Sequence, residues 1–553
     1  MIKKIFFCTT VLLLSVKSFS QIRVGLESNS QWYIDDKKVK IDEVDAEERF
    51  RSNTYLKFDY SYKNWELGAQ LEAYAPKPIL NYSPDFKKFD VGTVFARYNN
   101  TESGVDVTLG HFYEQFGSGL VLRSWEDRQI GINNAIFGAR AKLRMAPGAD
   151  ITFLGGKQRI GMGFDLSDSY LYGANVEVDL AEVTGNEESG FKVGASYVGR
   201  YQDQKELYPL LSKTLDLFSG RVDYTGDAFY FGAEYVYKAK DALVENYKVF
   251  ENIEKDGNAL LVNTGFSAEG LGLNVTLRRM ENMTFYSERN FAGNIYNKGV
   301  GNYVPALTKQ YDYSLQNIYV YQAQPGFSYY QNPKLGEIGG QFDFYYNFKK
   351  GSTIGGEYGT SVIVNGSYWA GLKLKDADVS KDELLEADYF AMGDKYYSDL
   401  GLEIRKKWSS NWSSIFMYLN QYYNKEKVED TYGLVKTNMV SAETTYQFAG
   451  TKSIRLEMQH LWADSDKKNW AGATLEFAAN ANWGFFVTDI YNYGNDEVDE
   501  QIHYYNGGVS YTKGVTRIAA SYGRQRGGLL CVGGVCRMVS EAAGLTVGIS
   551  TSF

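Results

Sequence analysis

Along most of this chain, apolar and polar residues alternate with a period of two. In TYLKFDYSY, Thr54, Leu56, Phe58, Tyr60 and Tyr62 take one face, and Tyr55, Lys57, Asp59 and Ser61 take the other. After Lys63-Asn64 the pattern resumes, with Trp65, Leu67, Ala69, Leu71 and Ala73 set against Glu66, Gly68, Gln70 and Glu72. Successive side chains of a β-strand point to opposite sides, so each stretch predicts a strand that is apolar on one face and polar on the other. Val176, Val178 and Leu180 repeat the pattern, as do Leu273, Val275 and Leu277, and again Ile454, Leu456 and Met458.

Soluble sandwiches alternate too, so strand length and connections decide between the two. The strands run to about ten residues, enough to cross a bilayer at a tilt. Short turns near 63–64, 146–149, 225–227, 349–351, 449–451, 481–482 and 512–514 alternate with longer polar loops. That asymmetry predicts an all-β fold, a single large antiparallel transmembrane β-barrel with short periplasmic turns and long extracellular loops. Hairpin counting gives about 24 strands, bounded by about 22 and 26, with the first near 23–34 and the last near 537–553. Leu545, Val547, Ile549, Thr551 and the terminal Phe553 share one face, which resembles the closing strand that bacterial outer-membrane barrels use for assembly. Tyr60, Tyr62, Trp65, Trp408, Trp412, Trp470 and Trp483 lie near strand ends, where amphipathic rings suit the membrane interface. A glycine pair at 155–156 predicts a bulge. Residues 376–399 predict a short helix in an outer loop, and 284–335 form the longest loop.

Residues 1–20 read as a cleaved signal peptide, with Lys3 and Lys4 before an apolar run and Ser18-Phe19-Ser20 before Gln21. Residues 21–553 are then the barrel, exported to the outer membrane. Without the signal, 55 Lys and Arg face 67 Asp and Glu, a net charge of −12. Nucleic acid needs a dense basic footprint and is excluded as a partner. The expected partner is outer-membrane lipid, with a surface lipoprotein or secretion component as a second candidate, and the oligomeric state stays open.

One stretch concentrates polar chemistry: GHFYEQFGSGLVLRSWEDR, residues 110–128. Glu114, Arg123, Glu126, Asp127 and Arg128 precede a ladder of Arg140, Lys142 and Arg144, with Lys157 and Arg159 on the next strand. Charges facing hydrocarbon near the midplane would cost about 2–4 kcal/mol each, so the ladder must face the lumen. Two readings of this lumen charge network stay open. It draws anions into an eyelet, or it ties an inward-folded loop to the wall through Arg–carboxylate pairs. Catalysis by His111 and Ser118 is a remote reading. Gly117-Ser118-Gly119 is no nucleophile elbow, and His111 shares the lipid-side parity of Val105, Val107 and Leu109. The chain is expected not to be an enzyme and to hold no metal or cofactor.

Cys531 and Cys536, in GGLLCVGGVCRM, form an even pair in an exported chain and predict a disulfide. Together with residues 110–134, GGKQR and the terminal strand, this segment resembles an uncharacterised family of Bacteroidota outer-membrane barrels. The resemblance covers the chain from Gln21 onward and implies fold and location, with no substrate. Function then divides into a porin-like channel or passive transporter for polar solutes, a non-conducting scaffold barrel, and, remotely, a barrel-embedded hydrolase.

Overall fold

In the computed structural model the alternating segments form 24 antiparallel strands joined in one ring. The structure describes the chain apart from residues 1–21, 40–47, 186–189, 246–247, 292–297, 330–331, 376–384, 432 and 449. The signal segment therefore lies outside the described residues. The first strand, Ile22–Tyr33, pairs with Phe50–Tyr62 on one side. On the other it pairs with the last, Ala542–Ser552, from Gly25 with Ser552 to Tyr33 with Gly544. Closure leaves no strand edge in the sheet, the condition a barrel must meet in lipid. The last strand starts later than expected because Val535–Val539 pairs instead with Gly528–Val532 in a separate hairpin.

At one rim the connections are tight. Two residues suffice between Tyr62 and Trp65, between Ala146 and Ala149, and between Lys513 and Thr516. The turn expected at 349–351 is longer, running from Phe348 to Thr360, with Ser352 donating to the Lys349 carbonyl. The opposite rim carries the long connections at 113–135, 282–335 and 526–541. Of the expected helix in 376–399, residues 376–384 lie outside the described part. The remainder is mostly strand, because Ala387–Lys407 continues its pairing with Thr360–Leu374 through three register shifts. A helix that short is marginal by itself, whereas the extended hairpin satisfies its backbone by cross-strand bonds. The expected bulge at Gly155-Gly156 does not form. Both glycines pair regularly with Ala139 and Gly138, and a Cβ at Gly156 would lie 2.4 Å from the Phe137 carbonyl oxygen. The glycine serves close backbone approach instead of an inserted residue.

Large apolar side chains dominate the outward faces. Trp65, Trp408, Trp412 and Trp483 stand exposed at the tight-turn rim, and Trp32 and Trp462 at the loop rim. Trp470 departs from this girdle. It points into the lumen at 1% exposure and stacks on Tyr504, because its cross-strand partner Leu461 also faces inward.

Inward faces show a gradient. Along Leu434–Gln447, Val435, Thr437 and Met439 are fully buried near the loop rim, whereas Gln447 is exposed near the turns. Along Phe50–Tyr62, Asn53 and Tyr55 are buried and Asp59 is exposed. The loop-side half of the bore is packed, and the turn-side half is a chamber open to water.

Leu475 faces outward and Thr474 inward, where it shares a 2.8 Å hydrogen bond with Thr488. In urea titrations of the protein refolded into vesicles, Leu475→Arg should cost about 2–4 kcal/mol. Thr474→Arg should cost several-fold less, and equal costs would contradict the assigned faces.

Candidate functional site

What packs the loop-side half is the chain's own long loops. Residues 113–135 leave the strand Val105–Phe112 and fold into the bore. Their tip is the Gly117-Ser118-Gly119 turn. Gly117 and Gly119 take φ of 55° and 93°, which glycine adopts without strain. A Cβ on Gly117 would lie 2.6 Å from a Glu234 carboxylate oxygen, so the small residue lets the tip press against the wall. There the Ser118 N–H donates to Glu234 over 2.9 Å. At its other end the segment is held by Arg128, which pairs with Glu27, donates to Gln70 over 2.9 Å and stacks on Tyr55. Glu27 belongs to the first strand and Glu234 to the eleventh barrel strand, Phe229–Glu245, so the segment crosses the lumen.

The charged residues singled out from the sequence fall into different positions. Arg140 binds Asp106 at 2.6 Å and Glu114 at 3.2 Å, joining wall to loop. Lys142 and Arg144 both reach Asp150, at 3.5 and 3.3 Å. Glu126 accepts from Gln70 and pairs with Arg128 and Lys57. Burial pushes the Glu126 carboxyl up, but Arg128, Gln70 and Lys57 more than offset it, leaving it below the ordinary carboxylate range. Its ion pairs therefore persist at neutral pH and weaken only once the medium turns acidic enough to protonate it. Arg159 is buried against Glu72 at 2.7 Å.

Three residues take other roles. Asp127 caps a turn, accepting from the N–H groups of Gln129 and Ile130. Arg123 stacks between the rings of Trp125 and Tyr303, at 4.7 and 3.8 Å. Lys157 lies on the outward face, since its neighbour Gln158 is fully buried on the inward one, and its ammonium sits 4.8 Å from the Tyr170 ring. Near the rim a lysine can extend to the interface, so strand parity outweighs its charge.

The loop 282–335 completes the layer. Asn302 donates to the carbonyls of Leu120 and Met283, and Tyr303 N–H donates to Gly119. Farther along, Trp369 donates to the Leu307 carbonyl, and Leu315 N–H donates to Gln459. Leu315, Tyr319 and Tyr321 bury themselves against wall residues Trp369, Leu419 and Trp470. The Cys531–Cys536 disulfide closes the hairpin Gly528–Val539, whose tip accepts a 2.8 Å bond from Ala306 N–H. Sequence reading missed Glu72, Glu234 and the buried pair Arg278–Glu337, at 2.8 Å. Their partners lie too far away in sequence to leave a local signal.

His111 and Ser118 do not meet. His111 packs between Phe137 and Phe164, its Nδ1 accepting from Val94 N–H, while Ser118 donates its N–H to Glu234 at the loop tip. Among the described residues no hydrogen bond joins them.

A family model matches residues 1–553 in full. The chain belongs to DUF6029, a family of unknown function. No curated protein matches the sequence. Solved structures that resemble it include the translocation pore of the P pilus usher PapC, 8% identical with a TM-score of 0.44, covering 96% of this chain and 99% of that one. The siderophore receptor PirA from Pseudomonas aeruginosa is 10% identical with a TM-score of 0.41, over 97% and 80% of the two chains. A BenF-like porin from Pseudomonas fluorescens Pf-5 is 10% identical with a TM-score of 0.35, over 82% and 96%. At these values the likeness is one of gross architecture.

Removing one member of a buried pair leaves the other uncompensated. In vesicle unfolding experiments Arg159→Ala should cost about 3–5 kcal/mol, and the double change Arg159→Met with Glu72→Leu should recover most of it. A double variant no more stable than the single one would show that the pair itself supplies the stability.

Proposed function

We propose that this DUF6029 member is an outer-membrane barrel, delivered by a cleaved signal at residues 1–20, that works as a porin-like passive path for polar solutes with a resting closed state. The observation that carries this reading is the division of the bore. Its turn-side half is a charged, water-accessible chamber, with Asp59 and Arg405 exposed. Its loop-side half is closed by a segment tied to the wall through ion pairs at Arg128 and Arg140. Conduction then requires residues 113–128 to leave Glu27, Arg140 and Glu234. The ladder Arg140, Lys142 and Arg144 is matched by Asp106, Glu114 and Asp150, which favours tethering over an anion-drawing eyelet.

A scaffold barrel that conducts nothing and docks a surface lipoprotein or secretion component is the second reading. It is favoured by the apolar packing of Leu315, Tyr319 and Tyr321 on the far wall, which ion-pair loss would not release.

Planar-bilayer recording separates the two. The intact protein should be closed most of the time, and the joint change Arg128→Ala with Arg140→Ala should raise open probability at least tenfold, with little anion preference. A variant that folds, shifts on heating in gel electrophoresis as barrels do, and stays silent would favour the scaffold. An intact protein with steady anion-selective openings would restore the eyelet.

A further inference from the structure

On the outward face of the barrel, between the hairpin Phe229–Ala268 and the strand Ala387–Lys407, lies a groove of about 610 Å³. Its sides are Leu277, Ile338 and Tyr368, its floor dips at Gly340, and Phe390 and Met392 overhang it. The facing is fixed by strand parity. Arg278 and Met280 are buried inward, so Leu277 between them and the turn rim points out, at 51% exposure. The volume falls within the range of small-molecule sites, about 300–1,000 Å³. Phe390, 74% exposed, would be costly in water and is at home against hydrocarbon.

The overhang has a specific origin. Trp369 pairs with Tyr397, but the next residue, Ala370, pairs with Lys395, so one residue is inserted at Tyr396. The insertion flips the parity of the strand and brings Lys395 to the outer face, and a second insertion between Lys395 and Met392 brings Met392 there as well. The Lys395 ammonium then rests 5.3 Å from the Tyr368 ring and 4.1 Å from the Tyr422 ring. Lys436, exposed, stands directly across the ladder from Tyr422. Among the described residues neither ammonium joins an ion pair. The neighbouring carboxylate, Asp394, is taken by Lys427 at 3.0 Å. Arg279, by contrast, is buried with Glu281 at 2.7 Å and is not free to bind anything else.

An apolar groove facing the bilayer, in the loop-side half, with two unmatched cations on its flank, has the polarity of an anionic amphiphile. We infer that the groove holds an acyl chain of an outer-leaflet lipid whose phosphate head lies between Lys395 and Lys436. Cations of this kind at a membrane interface attract anionic head groups, and each buried methylene adds to retention. The inference rests on the bilayer-spanning reading, not on whether the barrel conducts.

The test uses the full protein in detergent, titrated with dimyristoyl phosphatidic acid or dimyristoylglycerol and read by native mass spectrometry. Phosphatidic acid should bind saturably and at least tenfold more tightly. Lys395→Glu with Lys436→Glu should abolish that preference, and Leu277→Trp, which fills the groove at an exposed site, should weaken both lipids. Heat-dependent gel migration confirms that each variant is folded. Equal binding of the two lipids, or a preference untouched by either change, overturns the site. Loss on charge reversal without loss in Leu277→Trp also overturns it, because the phosphate would then be held away from the groove.

Discussion

A closed ring of 24 strands encloses more space than the side chains of its own wall can fill. That constraint governs the rest of the structure. Each strand must present an apolar face to lipid and a polar one to the bore, which leaves a wide polar interior with charges to be matched. The chain meets the demand with its own loops, drawing 113–135 and 282–335 inward and capping them with the 528–539 hairpin. The result is a cup, sealed toward the loop rim and open toward the turns.

The seal combines two kinds of contact with different consequences. Leu315, Tyr319 and Tyr321 pack on apolar wall residues, a contact that salt and pH barely affect. Arg128, through Glu27, and Arg140, through Glu114, hold the crossing segment by ion pairs and charge-assisted hydrogen bonds, which are strong in a dry site but weaken when water enters. The segment at 113–128 is therefore the part of the seal whose release the chemistry permits most readily. The Gly117-Ser118-Gly119 turn is a docking tip, shaped by the need to approach Glu234 closely, and its resemblance to a nucleophile turn is incidental.

The barrel was legible in the sequence because strand periodicity is local. Thr54 to Ala73 announces both strands, their turn and their facing within twenty residues. Arg140 could be assigned to the lumen side because a charge in hydrocarbon is costly. Its partners could not, since Glu114 and Asp106 reveal themselves only once strand register is known. The same holds for Glu234, which meets Ser118 across the bore, and for Glu72, which meets Arg159. Where expectation failed, parity or pairing had overruled composition. Lys157 follows its strand outward, Trp470 follows Leu461 inward, and the described part of the helix expected in 376–399 extends a hairpin instead.

The central claim is that the loops separate the turn-side chamber from the loop-side exterior. Accessibility of one cysteine tests it directly. Asp59→Cys places a thiol in the chamber, and Val498→Cys places one on an exposed loop. With intact cells and a membrane-impermeant maleimide, Val498→Cys should label fully and Asp59→Cys should not. Opened outer-membrane fragments should then label Asp59→Cys as well. Equal labelling of both sites on intact cells would mean that the bore is open from end to end and would contradict the account.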